Sequence, residues 1–295
     1  MHLGKVAITG GSGRLGQFVV DRLKKVSEVT VIDLRAPQDP DVEFIESSIL
    51  DFAGLERAFV GQDYVIHLAA VPNPRSAPAD ITFNTNVQGT WNVLQAAENA
   101  GVKRVAVASS DAATGLHYNP ENWGIQYLPV DESHPLKPGD FYGLSKEITE
   151  MICLRYAQRG KVQVGVIRPT HIVFESEYPE LEARGADVNN YHIWTYVDPK
   201  DVAQAFELVL AKRDLVHDIF FISAADTLSN RPTLEMIKDR MGTVPEVRNP
   251  GVYEANPFAS VLDITHARNE LGYEPESNWR EMFAKANAVS PRKVG

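Results

Sequence analysis

Tyr142 and Lys146 stand four residues apart in Tyr142-Gly-Leu-Ser-Lys146. On a helix, positions i and i+4 share a face, so the phenol and the ammonium lie close together. A phenol is a poor base at its ordinary pKa of about 10. A nearby cation favours the phenolate, which lets Tyr142 take a hydroxyl proton while hydride leaves the same carbon. Ala108-Ser109-Ser110 closes a short apolar run. A hydroxyl at such a strand tip can hold the reacting oxygen and stabilise developing charge, and Ser110 is assigned that place. Taken as local structure alone, serines at strand ends cap the backbone and Tyr-x-x-x-Lys is a common spacing. The position of the pair, just after a long Pro-rich stretch, favours chemistry over coincidence.

Hydride chemistry needs an acceptor, and the start of the chain offers a place for one. Val6-Ala-Ile-Thr-Gly-Gly-Ser-Gly-Arg-Leu-Gly16 runs from an apolar segment through a glycine-rich turn into an amphipathic stretch with Leu15, Val19, Val20 and Leu23 at helical spacing. Both Gly11-x-Gly13-x-x-Gly16 and Gly10-x-x-Gly13-x-x-Gly16 have the dinucleotide pattern. Glycines let a pyrophosphate approach the backbone, and the helix start offers free N–H groups and a positive dipole end. Asp33 ends a second apolar run, Val29-Thr-Val-Ile-Asp33, at the expected distance of about 20 residues.

Composition narrows the classes. With 39 acidic and 29 basic residues the net charge is −10, which argues against general binding to nucleic acid or an anionic membrane. Hydrophobic residues make up 44% of the chain, as in an ordinary globular protein rather than a disordered one. The single cysteine, Cys153, leaves no internal disulfide and suits a reducing cytoplasm; within an apolar helical stretch it reads as a small buried hydrophobe. The first residues enter a strand directly, without a basic segment and apolar core, so no signal peptide is expected. No apolar run is long enough to cross a bilayer. His117, His171 and His192 lack a spacing such as His-x-x-x-His, and no metal is expected. His67 belongs to an apolar strand and reads as a core residue.

The elements that must position these residues alternate. Strands are expected near 4–9, 28–33, 42–46, 63–68, 104–109 and 163–168, and helices near 14–25, 51–60, 79–100 and 140–159. Short, nearly continuous apolar runs such as Tyr64-Val-Ile-His-Leu68 suit strands buried on both faces. The alternation predicts an α/β fold, a doubly wound parallel Rossmann sheet with a small C-terminal substrate-binding cap. Residues 1–168, with returns near 196–224, form the nucleotide-binding domain in this reading; 169–195 and 225–295 form the cap. The loops 71–78 and 114–139 should border the pocket, because ligands bind at the carboxyl ends of the strands. Segment 175–190 reads as a polar surface loop or lid. Later helices are expected over 198–212, 233–241 and 263–271, and a late strand over 218–223.

These motifs together resemble the extended short-chain dehydrogenase/reductases, the NAD-dependent epimerase/dehydratase group. The resemblance rests on Thr9-Gly-Gly-Ser-Gly-Arg-Leu-Gly16, Asp33, His67-Leu-Ala-Ala70, Asn86-Val-Gln-Gly-Thr90, Ala108-Ser-Ser110, Tyr142-x-x-x-Lys146, Arg168-Pro169 and Tyr196-Val-Asp-Pro-Lys-Asp-Val-Ala203, in family order. It implies that Gly10, Gly13, Arg14, Leu15 and Gly16 hold the pyrophosphate of NAD. It implies that Asp33 binds the adenosine ribose and favours NAD over NADP, with Arg35 as a counter-indication able to accept a 2′-phosphate. Leu68, Ala69 and Ala70 would line the cofactor. Ser48 stands where the family has an adenine-contacting Asp, and the backbone of Ile49 would replace that contact. Asn86 is placed on the cofactor side, tying the central strands together or holding a water; by spacing alone it could equally be an exposed helix residue. Ser110, Tyr142 and Lys146 form the implied catalytic set, with Tyr142 and Lys146 also touching the cofactor.

In size and layout the chain is most similar to uronate dehydrogenase-like members, because the segment from Thr170 to Thr195 is short and suits a small substrate. Where that group has Asn and His after the paired serines, this chain has Asp111 and Ala112, and Pro72 stands near a substrate-contacting Ser. Asp111 would repel a carboxylate and favour a neutral sugar; Arg184 either holds an acid or is a solvated surface arginine; Trp194 either walls the pocket or packs in the core. The resemblance implies NAD-dependent oxidation of a hydroxyl of a sugar or sugar acid. The alternatives are a sugar epimerase with transient hydride transfer and an NAD-binding regulator without turnover. It also implies a homodimer through helices 79–100 and 140–159.

Overall fold

The computed structural model describes residues 2–117, 124–276 and 278–289. The chain runs β1 (Lys5–Thr9), α1 (Arg14–Leu23), β2 (Glu28–Asp33), β3 (Glu43–Glu46), α2 (Phe52–Ala58), β4 (Tyr64–His67), α3 (Ala79–Phe83), a π-helical turn (Asn84–Gln88), α4 (Gly89–Ala100) and β5 (Arg104–Ala108). It continues through a 3-10 turn (Asp111–Thr114), β6 (Tyr127–Leu128), α5 (Phe141–Gln158), β7 (Gln163–Pro169), a second 3-10 turn (Glu175–Glu180), α6 (Leu181–Ala186), α7 (Pro199–Ala211) and β8 (His217–Ile222). The last elements are α8 (Thr233–Met241), β9 (Glu246–Val247), α9 (Pro250–Ala255), α10 (Thr265–Leu271) and α11 (Trp279–Val289).

Seven parallel strands form one sheet in the order β3-β2-β1-β4-β5-β7-β8. The doubly wound parallel sheet expected from the alternation is present. Successive residues of a strand face opposite sides. Val6 and Ile8 therefore join one core with α1, α7 and α10, while Ala7 joins the other with α2, α4 and α5. Both faces are covered, which explains why these strands read as apolar runs without alternation. The order reverses between β1 and β4, and that switch point opens a crevice at the carboxyl ends of the strands.

Over those ends lies a third core. It gathers Leu128, Val173, Tyr178, Trp194, Tyr196, Phe221, Met236, Ile237, Tyr253 and Trp279 from segments far apart in sequence. Here the structure departs from the sequence expectations. Segment 175–190 is not a free polar loop: it holds the second 3-10 turn and α6, pinned by buried Tyr178 and Leu181. β6 and β9 form a small parallel sheet of their own, and α9 and α11 complete this region. The helix expected over 79–100 is interrupted by the π-helical turn, whose one buried residue is Asn86.

Candidate active site

The turn between β1 and α1 is built from backbone. Gly10 has φ +74°, and a Cβ there would sit 2.6 Å from the Ala69 nitrogen, so the turn lies directly on the end of β4. A Cβ on Gly16 would strike the Gly10 carbonyl, which binds α1 closely to the turn. α1 starts at Gly13 with no side-chain cap and no acid in its first turn. Its amide N–H groups are therefore not capped by a side chain, as a pyrophosphate requires. Half-buried Leu68, Ala69 and Ala70 follow β4 beside this turn, and Leu15 packs into the first core. Asp33 ends β2, where Oδ2 accepts from the Ser12 amide at 3.1 Å and Oδ1 from Leu34 at 2.7 Å. A carboxylate has lone pairs to spare beyond these two bonds. Arg35 is exposed, and its carbonyl accepts from the Ser12 hydroxyl. Arg14 lies 4.0 Å over the Phe174 ring. Ser48 Oγ accepts from Leu50 N at 3.1 Å, and the Ile49 carbonyl accepts from the Asn92 amide. The glycine cradle and the uncapped helix start fit a dinucleotide.

α5 begins at Asp140, whose carboxylate accepts from the amides of Tyr142 (2.8 Å) and Gly143 (3.0 Å). An added Cβ on Gly143 would lie 2.7 Å from the Ala112 carbonyl, so only glycine lets this helix approach the turn that follows Ser110. Lys146 Nζ donates to the Ala108 carbonyl at 2.8 Å and lies 5.7 Å from the centre of the Tyr142 ring. The structure thus brings Tyr142 and Lys146 against the end of β5, which carries the serines. Burial lowers the Lys146 ammonium to about 8, with Glu150 opposing the shift. The two serines differ. Ser109 is buried and donates to Glu150 Oε1 at 2.6 Å. Ser110 is half-buried; its Oγ accepts from Ala112 N and donates to Asp111 Oδ1, both at 3.1 Å.

Behind this group Glu150 and Arg168 form a buried bidentate pair at 2.7 and 2.6 Å, joining α5 to β7. Sequence reading missed Glu150. Its signal was a carboxylate four residues after Lys146, on the same helix face. Asn86 is bonded within the protein: it accepts from Val71 N, and its amide donates both protons, to Val71 O and Ser145 Oγ. Of the roles expected for it, the tie is the one its bonds make: Asn86 joins the β4 loop to α5. His67 is a satisfied core residue, bonded to Thr9 and Thr90, and burial lowers its ring to about 3. Cys153 is buried, and burial raises its thiol.

A second polar group lies beyond Ser110. Asp111 Oδ2 meets His117 Nε2 at 2.8 Å, and His117 Nδ1 meets the Tyr191 carbonyl at 3.1 Å. Burial pushes the Asp111 carboxyl up, but the His117 ring and the Thr170 hydroxyl outweigh it and hold the group below its ordinary range. His192 stacks on His171 at 4.0 Å, and burial lowers it to about 2. The residues after His192, Ile193 (φ 53°) and Trp194 (φ 56°), take left-handed conformations that are costly for bulky side chains. Asn190 Oδ1 holds this turn by accepting from His192 N and Trp194 N.

Three residues named as substrate contacts are placed otherwise by the structure, Trp194 in the core position that was its alternative. Trp194 is fully buried in the third core, with its indole N–H on the Asp187 carbonyl, and walls no open pocket. Arg184 is held by Glu177 (3.0 Å) and Glu180 (2.6 Å), so its charge is already matched. Asp111 is buried beneath the site with both oxygens engaged, rather than open to a ligand. His117 and Thr170 were missed as a set, because nothing local in the sequence pairs them with Asp111. Among the described residues no group of His, Cys, Asp and Glu is arranged to hold a metal, and no helix is long and apolar enough to cross a membrane.

The profile of the NAD dependent epimerase/dehydratase family matches residues 6–222. The chain is 30% identical over 258 residues to L-arabinose 1-dehydrogenase (NAD(P)(+)) of Haloferax volcanii, covering 83% of this chain and all of that one. It is 26% identical to uronate dehydrogenase of Pseudomonas putida, over 74% of this chain and 75% of that one. Among solved structures, UDP-glucose 4-epimerase with UDP-glucose from Thermotoga maritima superposes with a TM-score of 0.72 at 24% identity, covering 97% of this chain and 98% of that one.

Proposed function

Because the chain belongs to the NAD dependent epimerase/dehydratase family, we propose that it oxidises a hydroxyl of a sugar or sugar acid, with Tyr142 as base. One observation carries this reading. The buried Lys146 ammonium lies beside the Tyr142 ring and is anchored on the carbonyl of the residue two before Ser110. A cation so placed favours the phenolate and lets Tyr142 draw the proton from the reacting hydroxyl. Ser110 Oγ, at the end of β5, orients that oxygen. Bound NAD supplies the hydride acceptor. The β1–α1 turn and the α1 start would hold its pyrophosphate, and Asp33, with lone pairs to spare, its adenosine ribose, with NAD preferred to NADP. Similarity to an L-arabinose dehydrogenase and a uronate dehydrogenase supports a small monomeric substrate.

Residues 1–168 with returns near 196–224 serve in this reading as the nucleotide-binding domain, and 169–195 with 225–295 as the cap. Ile81, Phe83, Trp91, Phe141 and Met151 are exposed on α3, α4 and α5, and Phe83 and Phe141 line a groove of about 470 Å³. A second copy of the chain covering these helices would bury them, which supports a homodimer. The single, buried cysteine fits a cytoplasmic setting.

The test is NADH formation from NAD, followed by absorbance, across neutral sugars, uronic acids and polyols, with NADP in parallel. Turnover that Tyr142→Phe abolishes supports the reading. Turnover that survives Tyr142→Phe in a folded protein overturns the mechanism. Silence across the panel, with interconversion of nucleotide sugars, would make the chain an epimerase.

A further inference from the structure

We infer that Asp111 and His117 form a positioning pair behind Ser110: the His117 ring, protonated on both nitrogens, neutralises the Asp111 carboxylate so that the Ser110 hydroxyl is parked on it loosely and stays available to the reacting oxygen. The inference rests on the proposed oxidation and names how its serine is controlled.

The geometry is specific. His117 Nδ1 faces a main-chain carbonyl, that of Tyr191, at 3.1 Å. Nε2 faces Asp111 Oδ2 at 2.8 Å. Both partners are acceptors, and a neutral imidazole has a single N–H, so satisfying both requires the imidazolium. The ring is an Asp111 partner buried with it: the side chains are 6% and 8% exposed. Asp111 is left with a compensated charge and accepts on its other oxygen from Ser110.

A serine hydroxyl has one proton and two lone pairs. In Ser110 the proton lies toward Asp111, and one lone pair takes the Ala112 N–H. The 3.1 Å separation from Asp111 is long for a hydroxyl on a carboxylate, where about 2.5–2.7 Å is usual. The hydroxyl is therefore oriented but weakly held. As negative charge grows on the reacting oxygen, Ser110 turns its proton there, and His117 and Thr170 remain to satisfy Asp111. Without His117 the carboxylate would be buried and poorly compensated, and it would grip the Ser110 proton. The other titratable rings near this pair, His192 and His171, stack on one another, and burial keeps His192 uncharged. His171 faces Glu177 and Arg184 rather than Asp111.

A double-mutant cycle tests the coupling. His117→Gln should lower kcat about tenfold or more, while KM and NAD affinity stay within about twofold. In the Ser110→Ala background the same change should cost less than about twofold, because the group it acts through is gone. Additive losses would overturn the inference, since a general structural defect does not depend on Ser110. Asp111→Asn added to His117→Gln removes the stranded carboxylate and should recover part of kcat; a further loss counts against the pair. A second readout needs no turnover and so separates this inference from the proposed activity. Nitrogen-15 shifts of the His117 ring in the intact protein at neutral pH should report two protonated nitrogens, reverting to a neutral ring in Asp111→Asn. A neutral ring in the unaltered protein overturns the pair even if sugars are oxidised, whereas a chain silent on every sugar loses the activity by the NADH assay alone.

Discussion

At the β1–α1 turn, the groups facing the crevice are main-chain: a left-handed Gly10, an uncapped helix start at Gly13, and Gly16 packed on the Gly10 carbonyl. Around Asp111, the groups are side chains matched to one another: the buried pairs Asp111 with His117 and Glu150 with Arg168, and the partly exposed pair Glu177 with Arg184. The first region is shaped by the absence of side chains, and a methyl group added at Gly10 or Gly16 would meet backbone atoms. The second works because each charge has a partner, and removing one partner strands the other. Substitutions should therefore fail in different ways on the two sides.

The largest effect is expected in the cradle. Gly16→Ala places its Cβ against the Gly10 carbonyl and the Gly11 backbone, and backbone cannot rotate away. Affinity for NAD, read by titration of intrinsic fluorescence, should fall at least about a hundredfold, since the amides that would hold the pyrophosphate move. Binding within a few-fold of the parent would mean that the turn is not the phosphate site.

Next comes the buried pair. Glu150→Gln leaves Arg168 without its countercharge and should destabilise the fold by about 3–5 kcal/mol, measured by denaturant unfolding. A loss under about 1 kcal/mol would show that water reaches Arg168 and compensates it.

Lys146 gives a prediction of the opposite sign. Its folded pKa, about 8, lies below the unfolded value near 10.4, so burial of the cation opposes folding. That penalty is full below pH 8 and relieved as pH rises towards 10.4, because there the unfolded chain binds the extra proton. Lys146→Met should thus be inactive yet more stable at pH 7, by up to about 3 kcal/mol less the lost bond to Ala108. The advantage should shrink by pH 10. Equal stability of the two proteins at both pH values would place Lys146 in water.

The smallest effect belongs to Arg184. Arg184→Gln removes an ion pair that is partly exposed, and should change stability by less than about 1 kcal/mol and turnover of neutral sugars by less than about twofold. A selective loss of uronic acid oxidation would return Arg184 to the substrate site.

Residue spacing alone was enough for the sheet, because strands buried on both faces must be apolar throughout and crossover helices must be amphipathic. α8 was legible to the residue, and α5 and α7 to within one residue at each end. Proximity of Tyr142 to Lys146 was equally local, set by the pitch of one helix. The tiny β6–β9 sheet was not legible, since two-residue strands carry no period. Nor was the anchoring of 175–190, a polar segment whose buried large apolar side chains are Tyr178 and Leu181.

The sequence by itself determined the parallel α/β fold, the glycine turn with Asp33 at the next strand end, and the pairing of a phenol with an ammonium. Each depends on intervals within one turn, strand or helix, where bond geometry sets the distances. Tertiary structure alone decided which charges are matched. Arg184 finds Glu177 and Glu180, Trp194 sinks into the third core, Asn86 spans from the β4 loop to Ser145, and His117 meets Asp111 while its other nitrogen reaches Tyr191. The physical reason is that burial makes an unpaired charge costly, and partners are supplied by whichever segments the folded chain brings together.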